Sequence, residues 1–135
     1  GMRGVPYEVS APEEARRFVA ELAAKKPDIV KIWVDDHLGK EQKIPIELSK
    51  AIVNAAKAHG LRVGTHMFYL EDAKKLVAAG VYGMAHSVRD KPVDAELIAL
   101  MKKNGAWLNG ASVRRLVVST TISPVLGMLP TRRLT

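Results

Sequence analysis

Along residues 10–109 the apolar positions switch repeatedly between helical spacing and short continuous runs. In "SAPEEARRFVAELAAKK" (10–26), Ala15, Phe18, Val19, Leu22 and Ala23 fall on one helical face. Ser10 and Glu13 form a capping-box pattern, with Pro12 in the first turn and Pro27 as the stop. "DIVKIWVDD" (28–36) is β-branched and aromatic and predicts a strand. "IPIELSKAIVNAAKAHG" (44–60) predicts a second helix with a stripe of Leu48, Ile52, Ala55 and Ala56, closed by Gly60. "LRVGTH" (61–66) predicts a strand, "LEDAKKLVAAG" (70–80) a helix and "VYGMAH" (81–86) a strand. "KPVDAELIALMKKNG" (91–105), with Pro92 near its start, predicts a helix, and "AWLN" (106–109) begins another strand. The order α-β-α-β-α-β-α-β implies right-handed crossovers and a parallel sheet, an α/β fold of about four β/α units.

Residues 110–135 break this pattern. "RLVVSTTIS" is compatible with a strand, and "SPVLGMLPTRR" reads as turns and extended chain. We therefore divide the sequence into a body, 1–109, and an irregular basic tail, 110–135.

Chemistry enters at the ends of the strands, where open α/β sheets and (β/α) barrels build their sites. Gly60 is followed six residues later by His66, and Gly80 six residues later by His86. A helix ending at a C′ glycine delivers the chain into the next strand at a fixed height. The repeat therefore predicts two imidazoles at one level on adjacent strands ~4.8 Å apart, within reach of one metal ion. The plainer alternative is that each is a half-buried strand-end residue hydrogen-bonded to backbone. Lys31 lies inside an apolar strand. A lysine buried there is costly unless paired or modified, and one with a lowered pKa can form a carbamate; alternatively its stem reaches the surface past a helix.

Composition narrows the options. The 135 residues carry no cysteine, so any metal needs histidine, carboxylate or a modified side chain. The net charge of +7 suggests nucleic acid, but the tail alone contributes +4, and no basic stripe is interleaved with aromatics. No nucleic acid is expected. No apolar run approaches the ~20 residues of a membrane span, and no leader is apparent, so a cytoplasmic setting without a membrane is expected. There is no GxGxxG after the first strand and no GxxxxGK[ST].

The runs "DIVKIWVDD", "HGLRVGTHMFYLEDAKKLVAAGVYGMAHSV" and "DAELIALMKKNGAWL", spanning about 5–109, resemble the metal-dependent amidohydrolase superfamily. The nearest subgroup is that of imidazolonepropionase-like and Xaa-Pro-dipeptidase-like enzymes. The resemblance implies part of a (β/α)8 TIM barrel, strands 4–7. It implies hydrolysis of C–N bonds in an amide, cyclic amide or dipeptide by a hydroxide held on one or two divalent ions, usually zinc. By position, Lys31 resembles the carboxylated bridging lysine of strand 4, and His66 and His86 the metal-ligand histidines of strands 5 and 6. The HxH pair of strand 1 and the proton-shuttling aspartate of strand 8 have no counterpart here: the histidines are at 37, 59, 66 and 86, and no aspartate follows residue 109.

Two functional expectations follow: a fragment of such a hydrolase, or a truncated, catalytically inactive piece that folds and self-associates. Gly1 before Met2 reads as a tag remnant. Half a barrel leaves strand edges open, so a homo-oligomer is expected. His37, Tyr69 and Arg89 follow the strand ends and are placed as weak substrate contacts. Asp35 and Asp36 lie beside His37, where a substrate or metal contact and a turn or capping role are both open; His59 is assigned to the helix dipole, and Trp33 and Trp107 to the core.

Overall fold

A computed structural model of the chain describes residues 7–108 and 120–123. The elements are β1 (Tyr7–Glu8), α1 (Pro12–Ala24), β2 (Val30–Val34), α2 (Ile46–Ala58), β3 (Val63–Met67), α3 (Leu70–Ala78), β4 (Gly83–Met84), α4 (Ala95–Asn104), β5 (Trp107–Leu108) and β6 (Thr120–Ser123). From β2 to β5 each strand lies beside its sequence neighbour, parallel to it, with one helix in each crossover. This is the predicted β/α succession.

The helices end as their glycines require. Gly60, Gly80 and Gly105 take φ of +70°, +102° and +63°, the left-handed region that a side chain disfavours. Two helix starts differ from expectation. Glu14, not Glu13, reaches back to Ser10, accepting from its backbone N–H at 2.9 Å and its hydroxyl at 2.7 Å. Glu13 instead pairs with Arg16 at 2.6 Å. Helix α4 starts at Ala95 rather than near Pro92, because the Asp94 carboxylate accepts from Leu97 N–H at 2.9 Å and caps it. Lys74 also binds Asp94, at 2.7 Å. Asp94→Ala removes cap and ion pair together, and we expect a loss of about 1 kcal/mol, measurable by urea denaturation.

Strand alternation divides the sheet into two faces. Val30, Ile32 and Val34 of β2 pair in register with Val63, Thr65 and Met67 of β3, and all six are buried. The apolar five join Ala15, Val19 and Leu22 of α1, Ile52 of α2 and Leu76 of α3 in one continuous core. The other face carries Lys31 and Trp33, both half-buried, opposite Gly64 and His66. In a closed barrel that second face is the interior.

Two strands extend the sheet beyond β2, so its open edges among the described residues fall at β1 and β5. β6 pairs with β2 in parallel, Lys31 beside Thr121 and Ile32 beside Ile122, and β1 pairs with β6 beyond it. The sheet order is β1-β6-β2-β3-β4-β5. The strand that "RLVVSTTIS" allows is found over Thr120–Ser123: Thr120, Thr121 and Ile122 are β-branched, and β2 presents a row of backbone groups for them to pair with. The rest of 110–135 lies outside the described residues. Among the described residues, no helix is long and apolar enough to cross a membrane.

Candidate active site

The inner face of β2 and β3 places Trp33 directly opposite His66. Their rings stack, with centroids 3.8 Å apart and planes inclined by 13°. Gly64, opposite Lys31, carries no side chain; a Cβ there would meet Ile29 Cδ1 at 3.2 Å and the Gly83 carbonyl at 3.6 Å. Farther along, Trp107 covers Gly83, where a Cβ would overlap its indole. Lys31 Nζ lies 5.9 Å from the Trp33 ring centroid.

His86 arrives differently from the way its spacing suggests. β3 pairs with β4 as Gly64–Gly83 and Thr65–Met84, an offset of nineteen residues, whereas the two histidines are twenty apart. A straight continuation of β4 would set His86 one level away and on the helix-facing side. β4 instead stops at Met84, and the chain bends at Ala85 and His86. That bend brings the His86 ring edge-on to His66, with centroids 4.7 Å apart. The prediction that the two imidazoles meet therefore holds, while the equal-height argument for it fails by one residue.

Asp35, for which the sequence leaves a site contact and a turn role both open, belongs to the site. It ends β2 with 5% of its surface exposed, beside His66 at 6%. Its Oδ2 lies 2.7 Å from His66 Nε2, and its Oδ1 accepts from His37 N–H at 2.9 Å. Arg89 Nη2 stands 4.0 Å from the same Oδ2. A carboxylate two residues past a strand tryptophan carries no distinctive sequence signal. Only the pairing of β2 with β3 shows which histidine it meets.

Burial and charge fix the protonation states. Desolvation pulls His66 down to about 4, against the opposing hydrogen bond to Asp35, so its imidazole is neutral at pH 7. Partial desolvation also lowers His86, which stays exposed, helped by the positive Lys31 and Arg89 nearby. Desolvation alone lowers Lys31. Burial would raise Asp35, but its bonds to the His66 ring and the His37 amide outweigh that and hold it below the ordinary carboxylate value.

The other predicted contacts are engaged elsewhere. Tyr69 donates its hydroxyl to Asp36 at 2.8 Å, which pushes the phenol up to about 12. His37 Nδ1 is 2.9 Å from Glu41 Oε2, and the residue takes φ +48° on a loop with Leu38 at +62°. Arg89 stacks over Phe68, 4.8 Å from its centroid, and stays partly exposed. Of the three, His37 meets the buried pair through its backbone N–H, 2.9 Å from Asp35 Oδ1, and Arg89 through its guanidinium, 4.0 Å from Asp35 Oδ2.

The donor chemistry suits a borderline cation in part. Two neutral imidazoles lie side by side, and His66 Nδ1 is buried with no hydrogen-bond partner, an orphan that a Lewis acid would satisfy. Lys31 shares their face. Among the described residues no group of three His, Cys, Asp or Glu side chains gathers as a metal cage. The set fits as part of a metal site.

The fold has counterparts among solved structures. The chain superimposes on a Xaa-Pro dipeptidase, with bound methionine in its active site, at a TM-score of 0.61 and 27% identity. The fold is a partial amidohydrolase-like barrel. An amidohydrolase (TM-score 0.61, 23% identity) and phenylurea hydrolase B (0.62, 21%) share it. These matches cover 73–74% of this chain but only a quarter of each solved chain. No family model and no curated protein matches the sequence.

Proposed function

We propose that this chain carries part of the active site of a metal-dependent hydrolase of C–N bonds, with an amide, cyclic amide or dipeptide as substrate. One observation carries the reading: two neutral imidazoles on consecutive β/α units, His66 buried and His86 exposed, meet at 4.7 Å on the same face as a partly desolvated lysine. Lys31, as a carbamate, with His66 and His86 would hold the ion, zinc being the best match to imidazole ligands. When bound, such an ion polarises a carbonyl and supplies hydroxide near neutral pH.

The chain's own residues do the rest. Asp35 and Trp33 hold the His66 ring by a hydrogen bond and a stack. Arg89, beside the buried carboxylate and partly exposed, is placed to meet an anionic group on a substrate. A second copy would cover the inner face, so the proposed working form is a homo-oligomer. Light scattering on the purified chain tests this: a monomer at micromolar concentration would contradict it.

Elemental mass spectrometry after dialysis against metal-free buffer tests the metal. Near-stoichiometric zinc or another divalent ion is expected and would justify screening dipeptides and cyclic amides. Metal-free protein that stays metal-free after incubation with zinc would favour the inactive-fragment reading.

A further inference from the structure

Resting on the metal-site reading above, we infer that Asp35 is a positioning residue: its carboxylate fixes His66 in the tautomer that protonates Nε2 and keeps the Nδ1 lone pair bare for a ligand. The inference starts from what each atom can do. An ionised carboxylate only accepts hydrogen bonds, and a neutral imidazole has one N–H and one lone pair. Asp35 Oδ2 and His66 Nε2 are 2.7 Å apart, both residues more than nine-tenths buried. At that distance a bare Nε2 would set its lone pair against a carboxylate oxygen in a low-dielectric pocket. The ring proton therefore belongs on Nε2.

The consequence falls on Nδ1. It is left as a pure acceptor, it is buried, and it has no hydrogen-bond partner. Leaving an acceptor in that state costs stability, so it calls for a partner from outside, a water or an ion. The ring cannot readily turn away. Trp33 stacks on one face at 3.8 Å, and His86 stands edge-on at 4.7 Å. Asp35 is itself anchored, because its other oxygen accepts the His37 N–H at 2.9 Å. Carboxylate, imidazole and bare nitrogen thus form a rigid line on strand ends that belong to the core sheet. Partners of this kind orient a ligating histidine and raise its basicity.

The test reads the tautomer directly in the full chain. Long-range 1H–15N correlation spectra of metal-free, 15N-labelled protein at pH 7 identify each ring nitrogen, and a His66→Gln spectrum assigns the residue. Protonated Nε2 with bare Nδ1 is expected. A proton on Nδ1, or exchange between the two forms, overturns the proposal without any variant at Asp35. In Asp35→Asn the carboxamide can donate as well as accept, so the Nδ1-protonated form should appear and zinc affinity should fall 10–100-fold. Unchanged tautomer and affinity in that variant would also overturn it. The expected tautomer in a chain that takes up no zinc would end the metal reading and leave the role of Asp35 standing.

Discussion

Metal-free protein loses about 3 kcal/mol of stability between pH 6.5 and about pH 4, and most of that loss disappears in His66→Gln. The folded-state pKa of His66, about 4, lies below its ordinary value of 6.5. In that window the unfolded chain binds a proton that the folded chain refuses, so stability falls as pH falls. The size follows from about 1.4 kcal/mol per unit of difference. His66 is almost wholly buried, so solvent does little to screen the effect. His86, also lowered, adds to the loss in the same direction. Asp35 acts lower still: its stabilisation is present above the ordinary carboxylate pKa and drains away as pH falls through its depressed folded value. Urea midpoints taken across pH 4–7 measure the profile. A His66→Gln profile parallel to that of the wild type would refute the assignment of His66 as a buried neutral base.

Neighbouring residues on β2 respond oppositely to truncation. Ile32 is fully buried on the helix-facing side, so Ile32→Ala is expected to cost about 2–5 kcal/mol through lost burial and a residual cavity. Lys31, one residue away, points to the inner face, where burial lowers its pKa. Lys31→Met keeps the length of the side chain and removes a desolvated charge, so stability is expected to stay the same or rise. Chemical denaturation of both variants compares the two faces directly. A large loss from Lys31→Met would mean that this lysine is structural rather than held for chemistry, as proposed.

Much of this was legible in the sequence because helical stripes and C′ glycines are local signals. Leu48, Ile52 and Gly60 announce α2 and its end without reference to the rest of the chain. The existence and order of the four β/α units follow from such signals. What was not legible depends on pairing across the sheet. Asp35 became part of the site only because β2 lies in register with β3 and carries it to His66. The meeting of His66 with His86 was anticipated from the repeated glycine–histidine spacing, yet register alone would have separated them. The bend after Met84, which no periodicity encodes, brings them together. The insertion of β6 beside β2 was hidden for the same reason: a β-branched run says that a strand can form, not which edge it will find. Tyr69 shows the converse. Its position suggested a substrate contact, but the hydroxyl is occupied by Asp36.

The most direct test of the central claim, that His66 and His86 serve one metal ion, is cobalt(II) titration followed by visible absorption in the wild type, His66→Ala, His86→Ala and the distant His59→Ala. The account predicts a saturable visible band in the wild type and in His59→Ala, and its loss in both His66→Ala and His86→Ala. A band that survives either of those two substitutions, or that never appears in the wild type, would contradict it.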